Sequence, residues 1–275
     1  MVSLIIDSGS SRSTWVVIDD RVIDNQELSG INPTAMPASV DIIKTYNCRH
    51  TTLIEKVFYY GSGVSNPQKA EQIKQLLSQK FPKAKIEVVS DILAACRSHG
   101  HTKAGIVSIL GTGVNTVLYD GQKIVKSITS LGYLIDEEGS GYNIGRLIVK
   151  KYLRSAMNKI DEALFERTYE MSPNDLIQCI YRHPQANYHI ASYSKFLNIS
   201  SMVFRNQILK ENFSAYTLNH IQKIDNYRDY NINFVGSIAY VFRKELKEEM
   251  DRIGATIGHI AQSPIEGLIK YHINK

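Results

Sequence analysis

The pattern of apolar and polar positions in the first part of the chain predicts strands with few helices between them. Short apolar runs predict strands at 4–6, 15–18, 22–28, 56–60 and 85–89. Apolar residues at helical spacing predict a helix over 67–80, and a second helix at 91–98 follows the last of these strands. This succession predicts an α/β layer with a mixed sheet.

The same pattern starts again about a hundred residues later. An apolar run at 105–110 is followed by a Gly-Thr-Gly turn and a second strand at 115–119. Asp120 and Gly121 then predict a tight hairpin into the next strand, 122–127. Two copies of a strand, a small-residue turn and a strand indicate a duplicated fold with a cleft between its halves.

Beyond this hairpin the chain is mostly helical before it returns to alternation. Residues 139–225 are rich in Lys, Tyr and Asn and predict helices that cover the second sheet. The remaining elements are expected as a strand at 233–235, a helix at 238–250, a strand at 254–261 and a helix at 264–272.

These elements predict two domains. The first domain is expected at 1–109, and the second at 110–263 with a helical insertion at about 146–230. The C-terminal helix, 264–275, is expected to pack back on the first domain.

Composition narrows the class of protein. The chain has 275 residues, 43% of them hydrophobic, which is enough for two cores of ordinary size. The 32 Lys and Arg exceed the 27 Asp and Glu by only five, and they form no basic run, so small anionic ligands are favoured over nucleic acid. No apolar stretch approaches the ~20 residues of a membrane span. We therefore expect a soluble, cytoplasmic protein with neither a nucleic-acid nor a membrane partner.

The first turn carries the earliest chemical signal. Asp7 ends an apolar strand, and a second strand follows after a few small residues, which leaves no room for the helix that a P-loop needs. Such a turn offers backbone N–H groups and hydroxyls to an anion. Asp7 is then suited to the Mg²⁺ that accompanies a polyphosphate. The alternative is an ordinary hairpin with a polar tip.

Four segments in this order resemble a known superfamily, the acetate and sugar kinases, Hsc70 and actin. They are the first turn at 7–15, LGTGVN at 110–115, LGYLIDEEGSGYNIG at 131–145 and GSIA at 236–239. Within that superfamily, the chain is most similar to the N-acetylglucosamine kinase-like branch of the BadF/BadG/BcrA/BcrD ATPase family. The resemblance implies two related ribonuclease H-like domains of the actin-like ATPase type, with ATP and Mg²⁺ between them.

The resemblance also implies which residues hold the nucleotide. Asp7 would serve the metal ion. The phosphates would contact the first turn and the GTG turn, and the adenosine would contact the GSIA turn. The residues concerned are Gly9, Ser10, Ser11, Arg12, Thr112, Gly113, Gly236 and Ser237.

Asp91 matches the catalytic base of these kinases, because it follows an apolar strand and starts a helix. The local alternative is that Asp91, or Ser90 beside it, only caps that helix, and one carboxylate can do both. Asn32 and Asn115 match residues that contact acceptor hydroxyls. By itself, Asn32 is equally well explained as a turn residue before Pro33.

The segment from 136 to 141 departs from the pattern. Relatives usually have Gly-Asp-Glu-Gly-Ser-Gly, whereas this chain has Asp136, Glu137 and Glu138 before Gly139. Glu137 therefore stands where the usual sugar-binding Asp lies. Three consecutive acids are expected to repel one another and to raise at least one pKa. The alternative is a solvated acidic turn that precedes the helix.

These residues predict an ATP-dependent sugar kinase, with N-acetylglucosamine and its 6-hydroxyl as the first acceptor to try. One alternative is an ATPase of the same family that shares an iron-sulfur cluster at a dimer interface. Such a cluster needs Cys ligands, and the widely spaced Cys48, Cys96 and Cys179 do not match that pattern. The other alternative is a non-catalytic sugar or nucleotide sensor. The resemblance leaves a homodimer open.

Overall fold

The computed structural model describes residues 1–9, 12–33, 37–99 and 103–274. It divides the chain into two compact units, the first formed by Met1–Lys103 with Ser263–Lys275 and the second by Ala104–Gln262. The predicted boundary after residue 109 falls inside a strand that pairs only with strands of the second unit. Backbone hydrogen bonds to that sheet therefore move the boundary to 103/104.

The bounds of the regular elements are as follows. The strands are β1 Ser3–Ser8, β2 Arg12–Ile18, β3 Val22–Ser29, β4 Lys56–Gly61, β5 Lys85–Ser90, β6 Gly105–Leu110, β7 Val114–Tyr119, β8 Ile124–Ile128, β9 Asn231–Val235 and β10 Thr256–Ala261. The α-helices are α1 Ile42–Thr45, α2 Pro67–Lys80, α3 Asp91–Ser98, α4 Gly141–Leu153, α5 Lys159–Tyr169, α6 Pro173–Arg182, α7 Ala186–Ser192, α8 Met202–Asn219, α9 Ser237–Val241, α10 Arg243–Arg252 and α11 Ile265–Ile273. Short 3-10 helices lie at Pro37–Asp41, Thr51–Leu53, Tyr193–Asn198, Ile221–Lys223 and Tyr227–Asp229.

The sheet of the first unit has the strand order β3-β2-β1-β4-β5. β2 is antiparallel to both of its neighbours, whereas β1, β4 and β5 run parallel. The carboxyl ends of these three parallel strands therefore lie at one edge of the sheet.

The second unit repeats this arrangement with the order β8-β7-β6-β9-β10 and the same strand directions. Each unit thus holds two antiparallel pairs followed by parallel strands reached through helical connections. The predicted α/β class with two related units is confirmed.

The core of the first unit forms around Trp15, which is fully buried. Its ring stacks on that of Tyr46 with 4.3 Å between centroids, and its indole N–H donates to Ser13 Oγ. Trp15 therefore has the packing role that a strand residue of this kind favours. Helix α11 packs on the same unit, where His272 stacks on Phe58 at 3.9 Å.

The second unit carries the longer helical region. Helices α4 to α8 enclose an aromatic cluster in which Phe165 contacts the rings of Tyr152, Tyr169 and Phe196. The helix predicted at 238–250 is instead two helices, α9 and α10, because the backbone leaves helical geometry at Phe242 with φ −102° and ψ 30°. None of the described helices combines the length and apolar character needed to cross a membrane.

Candidate active site

Two carboxylates lie at the carboxyl edge of the first sheet. Asp7 is the second-last residue of β1, and Asp91 directly follows β5 as the first residue of α3. β4 lies between these strands and pairs in parallel with both. Residues 84 positions apart in sequence are thereby brought to the same edge. This is where the first unit can hold a charged ligand.

Both carboxylates have perturbed protonation equilibria. Burial raises the pKa of Asp7 to about 7, the hydrogen bond from Ser263 Oγ opposes this shift, and the negative charge of Asp91 adds to it. Burial likewise raises the pKa of Asp91, although its Oδ1 accepts the Ile92 N–H at 2.8 Å. Buried acids with raised pKa values favour the binding of a proton or of a nearby cation.

Asn32 lies next to this edge because of a residue that sequence reasoning missed. Ser8 is fully buried, and its Oγ accepts the backbone N–H of Ile31 at 2.8 Å. This bond ties the segment containing Asn32 to the end of β1, and Asn32 itself is 8% exposed. A buried hydroxyl at the end of a strand, next to the predicted metal ligand, was the available signal.

The first turn is described only in part. Ser10 and Ser11 lie outside the described residues. Gly9 is exposed, and a Cβ there would lie 3.5 Å from the Arg12 carbonyl, which is ordinary contact. The Arg12 guanidinium lies 3.5 Å from Glu27, and both side chains are exposed, so this pair holds Arg12 only weakly.

In the second unit, three backbone segments meet around the turn that follows β6. Gly141 N–H donates to the Gly111 carbonyl at 2.8 Å, and Tyr142 N–H donates to the Thr112 carbonyl at 3.1 Å. These bonds hold the turn against the N-terminus of α4. The leading N–H groups of α4 are thereby used within the protein, so donors to phosphate oxygens would come from the amides and hydroxyl of the turn itself.

Gly236 lies on the other side of this turn. Its φ is +123°, and a Cβ there would lie 2.3 Å from the Leu110 carbonyl oxygen. Only glycine allows β9 to end so close to β6. Ser237 follows as the exposed first residue of α9. The predicted GTG and GSIA turns are therefore neighbours within this unit.

Glu137 contacts the same turn. Its Oε2 accepts the Val114 N–H at 2.6 Å, and it would lie 3.0 Å from a Cβ at Gly113. Burial raises the pKa of Glu137 to about 7, with a further contribution from Asp136. The predicted rise of at least one pKa in the acidic run is confirmed, although burial is the larger cause. Asn115 is partly buried on β7, opposite Ile109.

Helix α8 braces the segment that holds Glu137. Asn212 is fully buried, and its Oδ1 accepts the Gly139 N–H at 3.0 Å and the Asn143 side-chain amide at 2.8 Å. Gly139 has φ +93°, and a Cβ there would lie 2.7 Å from the Tyr216 ring. Sequence reasoning missed Asn212, because nothing near it in the chain indicates a partner 73 residues away.

The protonation of Glu137 makes stability depend on pH in the ligand-free protein. Its folded pKa of about 7 lies above the ordinary 4.5, so the native state binds this proton more tightly than the unfolded state does. The contribution is fully present below about pH 4.5 and is lost as pH rises through about 7. The free energy of unfolding of wild type minus that of Glu137→Gln should therefore fall between about pH 5 and about pH 8.

Urea denaturation in EDTA measures this difference. Glu248→Gln, at an exposed position of α10 in the same unit, is the matched control. A difference between wild type and Glu137→Gln that stays constant with pH would contradict the prediction.

The chain is 30% identical to the solved structure of a candidate N-acetylglucosamine kinase from Porphyromonas gingivalis, with a TM-score of 0.93 and 99% of both chains covered. The chain belongs to the N-acetylglucosamine kinase-like family. No known family profile matches it.

Two further proteins are similar to the chain in fold or over part of its length. A structure described as a candidate N-acetylglucosamine kinase from Chromobacterium violaceum has a TM-score of 0.74 over 98% of both chains, and its 13% identity shows a shared fold only. A curated N-acetylmuramic acid/N-acetylglucosamine kinase from Clostridium acetobutylicum is 29% identical over 160 residues. That match covers 54% of this chain and 52% of the curated protein, or about half of each.

The candidate site residues of this chain form two sets, one in each unit. The first set is at the carboxyl edge of the first sheet and contains Asp7, Asn32 and Asp91. The second set surrounds the turn after β6 and contains Thr112, Gly113, Glu137 and Gly236.

Proposed function

We propose that this protein is an ATP-dependent kinase that transfers a phosphoryl group to a hydroxyl of an amino sugar, with N-acetylglucosamine and its 6-hydroxyl as the leading acceptor. The observation that carries the proposal is the pair of buried carboxylates, Asp7 and Asp91, whose charges interact at one sheet edge. Kinases need a base for the acceptor hydroxyl and a carboxylate for a metal ion. The names of the relatives in Porphyromonas gingivalis and Clostridium acetobutylicum support the same class.

Asp91 is proposed as the general base. Burial raises its pKa, and the Ile92 N–H fixes one of its oxygens, so the carboxylate is both oriented and more basic than a surface acid. A more basic carboxylate takes a proton from a sugar hydroxyl more readily. The capping role considered from the sequence is compatible with this assignment, since the Ile92 contact occupies only Oδ1.

Asp7 is proposed to hold Mg²⁺. Burial and the negative charge of Asp91 raise the pKa of Asp7 to about 7, so its ionised carboxylate is unfavourable without a cation beside it. A cation next to this carboxylate would offset that unfavourable charge, and carboxylate oxygens are preferred Mg²⁺ ligands. When bound, Mg²⁺ supplies positive charge that neutralises the polyphosphate.

The second unit is proposed to hold the nucleotide. The turn amides and hydroxyl at 112–113, supported by the N-terminus of α4, offer donors to phosphate oxygens. Gly236 lets β9 end against the turn after β6, which brings the GSIA turn beside the proposed phosphate turn. Gly9, Arg12 and Ser237 are proposed as further contacts, together with Ser10 and Ser11.

The acceptor is proposed to meet Asn32, Asn115 and Glu137. Amide side chains both donate and accept hydrogen bonds, as sugar hydroxyls require. With a pKa of about 7, Glu137 carries a proton in part of the molecules at neutral pH. It can therefore donate to a sugar oxygen as well as accept from a hydroxyl, which an ordinary surface glutamate does not do.

A coupled ADP-release screen tests the proposal. Free sugars, amino sugars and N-acetyl sugars are each offered with ATP in the presence and absence of Mg²⁺, and the product is identified by mass. Sugar-dependent ADP release that is greatest with N-acetyl hexosamines supports the kinase. Sugar binding by calorimetry without transfer to any acceptor would instead identify a sensor. ADP release that is independent of sugar would identify an ATPase.

Asp7→Asn should raise the Mg²⁺ concentration needed for half-maximal activity about tenfold or more, because a neutral amide binds a hard divalent cation more weakly than a carboxylate does. The amide still accepts the Ser263 hydroxyl bond, so the fold should be retained. The measurement is a Mg²⁺ titration of ADP release. Asp24→Asn, on β3 of the same unit, is the control, and an unchanged Mg²⁺ requirement in Asp7→Asn would remove Asp7 from the metal site.

Two further properties stay predictions for this chain. A cytoplasmic location is expected from the sequence, and fractionation of the source cells measures it. The resemblance leaves a homodimer open, and sedimentation velocity of the purified protein measures the oligomeric state.

A further inference from the structure

The two acids that flank Glu137 have a different partner from Glu137 itself. Glu137 reaches the backbone of Val114, whereas Asp136 and Glu138 lie near His220 at the end of α8. One carboxylate oxygen from each acid and one ring nitrogen of His220 lie within 4.8 Å of one another. All three residues belong to the second unit.

The histidine is buried without a partner for one of its nitrogens. His220 is 3% exposed and stacks on Tyr216 with 5.2 Å between centroids. Its Nδ1 makes no hydrogen bond to any residue that the structure describes. A buried polar atom in this state needs a ligand or a water to offset its lost hydration. His220 therefore points to a bound group independently of the acids.

One of the carboxylates is in the same state. Oε1 of Glu138 accepts from the Asn219 side chain at 3.3 Å, whereas its Oε2 is buried with no partner among the described residues. Oδ1 of Asp136 accepts the backbone N–H of Glu138 at 3.0 Å. These bonds orient both acids, and they leave lone pairs near the imidazole.

The unpartnered Nδ1 of the buried His220 ring is the donor that a metal ion could use. Metal ligation requires a neutral imidazole and ionised carboxylates. Two carboxylates would balance the charge of a divalent ion.

We propose that Asp136, Glu138 and His220 form a binding site for a divalent transition-metal ion, with Zn²⁺ as its preferred probe. One imidazole and two carboxylates form a mixed donor set of the kind that Zn²⁺ accepts, whereas Mg²⁺ and Ca²⁺ prefer oxygen alone. Ligand atoms around a tetrahedral Zn²⁺ lie about 3.4 Å apart for bonds of about 2.1 Å. The present spacing of up to 4.8 Å would have to shorten when the ion binds, and a water would fill the fourth position.

The ion would join two segments that are far apart in sequence. Asp136 and Glu138 precede α4, and His220 follows α8, which already binds Gly139 through Asn212. The metal would add a second connection between α8 and the segment that carries Glu137. This site does not depend on the proposed kinase activity, because its metal content is measured directly.

The test is a Zn²⁺ titration of the full chain after chelation, by competition with a chromophoric chelator and by elemental analysis. We expect one Zn²⁺ per chain and a higher melting temperature with Zn²⁺ than without. His220→Asn and Asp136→Asn should each weaken binding about 100-fold or more. Asp136→Asn keeps the acceptor for the Glu138 N–H, so it tests the charge without disturbing this turn.

His259→Asn, at an exposed position on β10, should bind Zn²⁺ as wild type does. Circular dichroism of the metal-free variants shows which of them fold, and Asp136→Asn decides the question where His220→Asn does not fold. Cys179→Ser tests whether Zn²⁺ binds instead at a separate thiol and imidazole pair, in which Cys179 Sγ lies 3.3 Å from His189 Nε2. The proposal is overturned by no stoichiometric Zn²⁺, by wild-type affinity in Asp136→Asn, or by binding that only Cys179→Ser removes.

Discussion

Asp91→Asn should lower the rate of sugar-dependent ADP release by ~10²–10⁴, the usual contribution of a positioned general base. The amide has the same shape as the carboxylate and can still accept the Ile92 N–H, so the start of α3 should be preserved. What it loses is the ability to take a proton from the acceptor hydroxyl. Single-turnover transfer from radiolabelled ATP measures the loss.

The control separates catalysis from helix capping. Asp175 lies in the first turn of α6, and Asp175→Asn changes the same chemical group at a comparable position of another helix. It should leave the transfer rate unchanged. ATP affinity, measured by calorimetry, should stay within about twofold of wild type in both variants. Retained transfer in Asp91→Asn would show that the carboxylate only caps the helix.

Gly236→Ala should destabilise the second unit by ~2–4 kcal/mol, because the new Cβ meets a carbonyl oxygen and the backbone is in a region that L-residues avoid. The Cβ would lie 2.3 Å from the Leu110 oxygen at a φ of +123°. β9 or the turn after β6 must shift to accommodate it, so ATP binding should be lost with the stability. Urea denaturation and calorimetry with ATP measure the two effects.

Gly111→Ala provides the matched comparison in the same turn. A Cβ at Gly111 would have no atom within 4 Å, so this variant should unfold at nearly the wild-type urea concentration. The two variants add the same methyl group at neighbouring positions, and they differ only in the free space around the new Cβ. Equal stability of the two variants would contradict the steric explanation for Gly236.

Most of the strands could be predicted because their signals are local. A run of alternating or continuous apolar residues next to a small-residue turn determines β1, β6 and β7 within a residue or two, and β2 within three. The break between α9 and α10 was not predicted, since the helical spacing of apolar residues continues through it. It depends on the backbone at Phe242, a buried residue whose ring also contacts the guanidinium of Arg205.

Only part of the candidate site could be predicted, because some of its residues have no signal in the neighbouring sequence. Asp7 and Asp91 each lie at the end of a recognisable strand, so their meeting at one sheet edge follows once the strands are parallel. Ser8 has no such signal, because its bond to Ile31 spans 23 residues. The cluster of His220 with the acidic run was also missed, since Glu138 and that histidine are 82 positions apart in the sequence.

The sequence by itself determined the family, the repeated pattern of strand, turn and strand, and the position of each chemical group along its element. Turn chemistry and side-chain periodicity depend on neighbours in the chain, so these properties can be worked out without a structure. Only the tertiary structure decided what Glu137 contacts. Its contact with Val114 and its raised pKa come from burial between segments that are distant in sequence. Such burial depends on the packing of whole surfaces and not on any local pattern.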